Sequence, residues 1–312
     1  MDTTINYNIG FYVGRFQPFT KAHESLIRNS INKYELNKLI IFFGSINLSS
    51  NFLNETAFLN KNPYSMNIRK KFLTGSLEDL QDKLMYDGML DYGSPKEEIT
   101  ANYLEALQNK YKTNSEKNIL INNGNNIGGI TSNGKNRTHE RKIVKSTMWY
   151  YILAEKIFKN IMTLNLINSN KKININLYFI NSPKNGPTAD YVRKINGITG
   201  RFLSKIINDN DLAKYLTVTF INAEIATIKN NNNKSLNATT IRNSMKELKK
   251  LKNSNNEAFM AALNIIIKMN SETNVTKINI KEYFKNIYDH YHLIKKSVPE
   301  YVFQKLLEEL LN

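Results

Sequence analysis

The apolar residues of this chain fall in short compact runs separated by longer stretches of helical period. Residues 9–13 (Ile-Gly-Phe-Tyr-Val) form one compact run and stop at Gly14, which predicts a buried first strand. Residues 21–33 follow with Leu26, Ile27 and Ile31 on one side, the spacing of an amphipathic helix. A second compact run at 39–43 (Leu-Ile-Ile-Phe-Phe) closes at Gly44-Ser45. Strand, helix and strand within about 35 residues make a βαβ unit, whose crossover is right-handed. After an irregular polar segment comes Asn62-Pro63-Tyr64-Ser65, where Ser65 is placed to cap a helix running through Arg69 and Phe72.

The pattern weakens over 76–145, most of which reads as an insertion, with a low-complexity Asn/Gly loop at 122–134. Helical period returns at 148–161, where Trp149, Ile152, Leu153 and Ile157 share a face. Residues 173–180 alternate as a strand and 216–221 form another. An asparagine run at 230–234 reads as a loop, followed by a helix at 240–251. The tail, 256–312, reads as helices punctuated by Pro299. Alternating strands and helices predict an α/β fold, a Rossmann-like parallel sheet with helices on both faces. The expected division is an α/β domain over 1–251, carrying an inserted region at about 76–145, and a C-terminal helical segment over 252–312 packed on it.

Composition narrows the picture. A chain of 312 residues, 41% of them hydrophobic, is long enough to bury a substantial core. Cysteine is absent, which excludes disulfides, thiol nucleophiles and Cys-bound zinc and fits a reducing compartment. The start of the chain lacks the basic and apolar regions of a signal peptide. No apolar run approaches the ~20 residues that span a bilayer. A cytoplasmic protein that does not enter membranes is therefore expected. The net charge of +16 suits polyanions, either nucleic acid or phosphate-rich small molecules. The lysines are scattered rather than massed in one tract, so they read chiefly as a solvated surface.

The chemistry concentrates in Ile9-Gly-Phe-Tyr-Val-Gly-Arg-Phe-Gln-Pro-Phe-Thr-Lys-Ala-His23. In an open α/β sheet, ligands sit beyond the carboxyl ends of the strands. A helix N-terminus there offers unpaired N–H groups and a positive dipole end to phosphate. Gly14 allows close approach of the backbone, and Arg15 supplies a forked cationic donor. Thr20 and His23, three apart in the first helical turn, are predicted to face the same phosphate. His23 can donate to charge that develops on phosphate oxygens. No Walker-type G-x-x-x-x-G-K-[ST] loop is present.

Gly-Arg-Phe-Gln-Pro-Phe-Thr-Lys-Ala-His resembles the opening motif of the H-x-G-H nucleotidyltransferase superfamily. It is most similar to the archaeal-type nicotinamide mononucleotide adenylyltransferases, with their G-R-F-Q-P-F-H-x-G-H. Gly44-Ser45, then Asn62-Pro-Tyr-Ser65 with Arg69, resembles that family's G-S segment and N-P-[FY]-[ST]-x-x-x-R. Asn237-Ala-Thr-Thr-Ile-Arg242 resembles its late S-[SG]-T-x-I-R motif, and Val298-Pro299 its terminal V-P helix. Together these segments cover about half the chain. The chain departs from the pattern in having Thr20 for the first His and Ala22 for the Gly.

The resemblance implies that mononucleotide phosphate attacks the α-phosphorus of ATP, giving NAD and pyrophosphate. It implies His23, Thr20 and Arg242 as the catalytic residues. Gly14, Arg15, Phe16, Lys21, Thr239, Thr240 and Ile241 are implied to bind ATP, and Asn62, Arg69 and Trp149 the acceptor. Tyr103 competes with Trp149 for the ring-stacking role. It further implies Mg²⁺ bound through the ATP phosphates rather than by side chains. His139, His290 and His292 show no metal-ligand spacing. The expected partners are ATP and nicotinamide mononucleotide, with neither a membrane nor nucleic acid among them. Because the family is commonly oligomeric, a homo-oligomer is also expected. Two other readings keep the fold: transfer to a different phosphate acceptor, from ATP or CTP, and a nucleotide- or nucleic-acid-binding protein with impaired catalysis.

Overall fold

The computed structural model describes residues 4–44, 63–89, 136–168, 171–182, 192–226, 237–271 and 282–312. Its strands are β1 (Ile5–Gly14), β2 (Lys38–Phe43), β3 (Leu84–Gly88), β4 (Ile173–Asn181) and β5 (Leu216–Glu224). They form one sheet in the order β3-β2-β1-β4-β5, with every neighbouring pair parallel. This is a Rossmann-like α/β sheet, whose order reverses between β1 and β4. The described helices are α1 (Lys21–Lys33), α2 (Met66–Ser76), α3 (Asn136–Thr163), α4 (Gly200–Asp209), α5 (Ala238–Ser254), α6 (Asn256–Ser271), α7 (Glu282–Ser297) and α8 (Glu300–Leu311).

The strand sequences explain the sheet. β2 is buried at every position from Leu39 to Phe43, the pattern of a central strand covered on both faces. β4 buries Ile173, Ile175, Leu177 and Phe179 on one face. These residues share a core with Ile9 and Phe11 of β1, with Ile152, Leu153, Ile157 and Ile161 of α3, and with Leu203, Ile206 and Ile207 of α4. Phe11 stacks on Phe179, ring centroids 5.0 Å apart, in the middle of that core.

The chain divides into two compact units that interleave along the sequence. One comprises Met1–Gly14, Ser30–Phe58 and Lys83–Ile225; the other comprises Arg15–Asn29, Leu59–Asp82 and Ala226–Asn312. The first holds the sheet with α3 and α4. The second holds the start of α1 together with α2 and α5 to α8. Leu84–Gly88, inside the stretch most of which reads as an insertion, is strand β3, paired with β2 from Leu39↔Leu84 to Phe43↔Gly88. Five residues ending an edge strand carry too few alternations to stand out. The loop expected at 122–134 lies outside the described residues.

Gly10 stands where β1 passes closest to its neighbours. A Cβ there would lie 2.6 Å from Leu36 Cδ1 and 2.8 Å from Leu39 Cδ1, both on buried side chains. Gly10→Ala is expected to destabilise the protein by about 1–3 kcal/mol through overpacking. A lowered urea midpoint at unchanged slope checks this.

Candidate functional site

β1 ends at Gly14, whose carbonyl accepts from Gly44 N–H at 2.9 Å. The chain then turns sharply, with Phe16 in the left-handed region at φ 49. A bulky side chain disfavours that conformation, so the surrounding structure must hold it. The two carbonyls that flank Phe16 are each gripped by an arginine. Arg69 of α2 donates from Nη1 to Arg15 O at 2.8 Å, and Arg242 of α5 donates from Nη1 to Gln17 O. Gln17, 2% exposed, is held as well. Its Nε2 donates to Tyr64 O at 2.8 Å, and its Oε1 accepts from Tyr64 N–H at 2.9 Å. The Gln17–Pro18 peptide is cis.

Arg69 is fully buried, and burial lowers its pKa to about 10. At that value it is still charged at neutral pH. Its Nε also donates to Ser65 O at 3.3 Å, on the residue whose hydroxyl caps α2 through Ile68 N–H. Arg69, expected to bind the acceptor substrate, donates to two backbone carbonyls. It lies beneath the Phe16 turn and grips backbone rather than facing solvent. Phe16 is buried too, packing against Phe19 and the edge of the His23 ring.

Thr20 is fully buried and caps α1. Its Oγ1 accepts from His23 N–H at 3.3 Å, while Thr20 N–H donates back to His23 Nδ1 at 3.1 Å. This is the reciprocal geometry of a capping box, with His in the place usually held by Glu or Gln. Thr20 and His23, expected to face one phosphate, bond to each other. The Thr20 hydroxyl also lies 3.0 Å from Nδ1, and with Nδ1 accepting from Thr20 the ring proton of neutral His23 sits on Nε2. Phe19, stacked on His23 with centroids 5.8 Å apart, fixes the ring plane. The first-turn N–H groups of Lys21 and Ala22 have no intrahelical acceptor, as at any helix start. Lys21 is half-buried and Arg15 exposed.

Asn237 caps α5, accepting from Thr240 N–H at 2.8 Å and from the Thr240 hydroxyl at 2.9 Å. Arg242 Nη2 donates to Thr239 Oγ1 at 3.0 Å. Of the three residues expected on ATP here, Thr239 and Thr240 are exposed, while Ile241 is buried as an apolar anchor of α5. Burial lowers the Arg242 pKa first, and the positive charge of Arg15 lowers it further. Two guanidinium groups that repel each other favour an anion near both. Arg28, in the middle of α1, makes a two-point bond to Asp79, at 2.6 and 3.0 Å, and a third donation to Ser76 O.

In the sheet unit, Trp149 of α3 is half-buried against the core and meets Tyr150 edge-on at 5.3 Å. Asn62 and Tyr103 lie outside the described residues. Gln17 lies inside the motif, and its signal in the sequence is only that an amide matches a backbone N–H and C=O at once. No three His, Asp or Glu side chains gather as a metal-ligand set among the described residues.

The fold and these residues define a Rossmann-like α/β protein whose first strand opens into a braced turn and a capped helix. No family model matches the sequence. No curated protein matches it. Among solved structures, it is similar to a bifunctional NMN adenylyltransferase/ADP ribose pyrophosphatase from Francisella tularensis, complexed with AMP and manganese, at 17% identity and a TM-score of 0.36. That match covers 84% of this chain and 54% of the other. A second structure of a bifunctional NMN adenylyltransferase/ADP ribose pyrophosphatase from the same organism gives 17% identity, a TM-score of 0.37, and coverage of 88% and 58%. The chain thus spans little more than half the length of these structures. No described helix is long and apolar enough to cross a membrane.

Proposed function

We propose that this protein is a nucleotidyltransferase that joins nicotinamide mononucleotide to ATP. The observation that carries the reading is the His23 capping box, which leaves the ring proton on Nε2 at the first turn of a helix. A neutral imidazole so oriented is a hydrogen-bond donor for phosphate oxygens. The positive charge of Arg15, which with burial lowers the Arg242 pKa, supports an anionic ligand at the same motif.

In this reading an oxygen of the mononucleotide phosphate attacks the α-phosphorus of ATP in line. The bond from that phosphorus to the bridging oxygen breaks, and pyrophosphate leaves with its electron pair. His23 Nε2–H stabilises charge on the phosphoryl oxygens, while Arg15 and Arg242 bind the triphosphate. Thr20 and Phe19 hold the imidazole, and Arg69 and Gln17 keep the Phe16 turn in shape. Positioning and charge neutralisation provide the catalysis, with no covalent intermediate. A magnesium ion would supply charge neutralisation on the triphosphate. The described residues suit an ion carried in on phosphate oxygens and water better than one caged by side chains.

The test is to incubate purified protein with ATP and nicotinamide mononucleotide and to measure NAD and pyrophosphate together. Equal amounts of the two are expected. Pyrophosphate formed only with a flavin or pantetheine phosphate acceptor would move the reaction to another member of the class. No pyrophosphate with any acceptor would end the enzymatic reading.

A further inference from the structure

The carboxyl end of β4 carries an acceptor that the fold leaves unmatched. Along one face of β4, Ile173, Ile175, Leu177 and Phe179 are buried and apolar, and the next residue on that face is Asn181, 6% exposed. Its amide nitrogen is well supplied: Nδ2 donates to Asn222 Oδ1 at 2.7 Å, Phe179 O at 3.1 Å and Ala223 O at 3.5 Å. Two of these partners are backbone carbonyls, which can only accept. Turning the amide over would set oxygen against oxygen, so its orientation is fixed. Among the described residues Oδ1 has no hydrogen-bond partner. Nine-tenths buried, it bears the full cost of a lost partner, about 1–3 kcal/mol.

Its position suggests what it is for. Asn222 and Ala223 belong to β5, so Oδ1 faces away from β5, and the other neighbour of β4 is β1. The sheet order reverses between β1 and β4, and ligands in such sheets lie beyond the carboxyl ends of the strands at that point. An amide oxygen there repels phosphate oxygens and takes a neutral N–H. We infer that Asn181 Oδ1 is a specificity-determining acceptor for an N–H₂ group on a substrate ring, either the carboxamide of the mononucleotide or the exocyclic amine of adenine. This inference rests on the nucleotidyltransferase reading above and names the part of the substrate that Asn181 selects.

A site built to hydrogen-bond a donor rejects the analogue that lacks it by a large factor, ~10⁴-fold in well-formed cases. The test uses two substrate pairs on the full chain: nicotinamide mononucleotide against nicotinic acid mononucleotide, and ATP against ITP. Each analogue replaces the N–H₂ donor by oxygen. Wild type is expected to prefer the amino or amide member of one pair by at least about 100-fold in kcat/KM. Asn181→Ala is expected to reduce that preference at least tenfold, mostly by slowing the preferred substrate, with the other pair unaffected. The pair that responds identifies the ring. No preference in either pair for wild type, or a preference that Asn181→Ala leaves unchanged, overturns the inference. The wild-type comparison stands even if the variant does not fold. The same pairs measured by calorimetric binding separate this question from turnover, so an inactive protein that still selects the donor-bearing ligand fails the reaction and keeps Asn181.

Discussion

Replacing His23 with alanine is expected to slow pyrophosphate release by about 10²- to 10³-fold, the usual loss when one donor to a developing oxyanion is removed. His23 has two jobs in the structure, and they are separable. Through Nδ1 it accepts from Thr20 N–H and completes the cap of α1. Through Nε2 it presents the proton. The alanine variant loses both, so it should also lose about 0.5–1.5 kcal/mol of stability from the broken cap. His23→Glu distinguishes the two, because a glutamate at this place in a capping box accepts from Thr20 N–H and has no proton to donate. Its unfolding midpoint should return toward wild type while its rate stays low. A glutamate variant with near-normal turnover would show that His23 serves the helix and not the chemistry.

Arg69→Ala should be the most damaging single change to the fold, costing about 3–5 kcal/mol in urea unfolding. The residue is fully buried, and truncation leaves both a cavity and two carbonyls, Arg15 O and Ser65 O, that lose a donor. Arg69→Met fills much of the volume without the hydrogen bonds. It should recover part of the stability, but the left-handed Phe16 is then braced from the Arg242 side alone. The expected signature is a raised KM for ATP, at least tenfold, in a protein that still unfolds cooperatively. A methionine variant with unchanged KM would mean that the Phe16 turn keeps its shape without Arg69.

Both predictions depend on residues that the sequence displayed but did not explain. Arg69 follows Ser65 by four positions on a predicted helix, a spacing that fits an exposed arginine as well as a buried one. Periodicity reports which face of a helix is apolar, and one long polar side chain on that face leaves no trace in it. Thr20 and His23 were visible as a pair, yet the same spacing fits two ligands of a phosphate and two halves of a cap. Phe16 offered no warning either, since a left-handed residue other than Gly or Asn has no local signature. β3 was likewise not legible, being a short edge strand.

The strands β1, β2, β4 and β5, the helices α1 and α2, and the end of α3 were readable because their apolar residues repeat at the period of their own backbone. By itself the sequence determined that this is a parallel α/β protein with its polar, basic motif immediately after the first strand. Tertiary structure alone decided that Arg69 and Arg242, from helices far apart in the chain, meet the two carbonyls on either side of Phe16. It also decided that His23 turns Nδ1 toward Thr20. Such outcomes depend on direction and burial, and local pattern encodes neither. The amide of Asn181 is the plainest case: an asparagine ending a strand reads as a turn residue, and only its buried, oriented carbonyl marks it for a ligand.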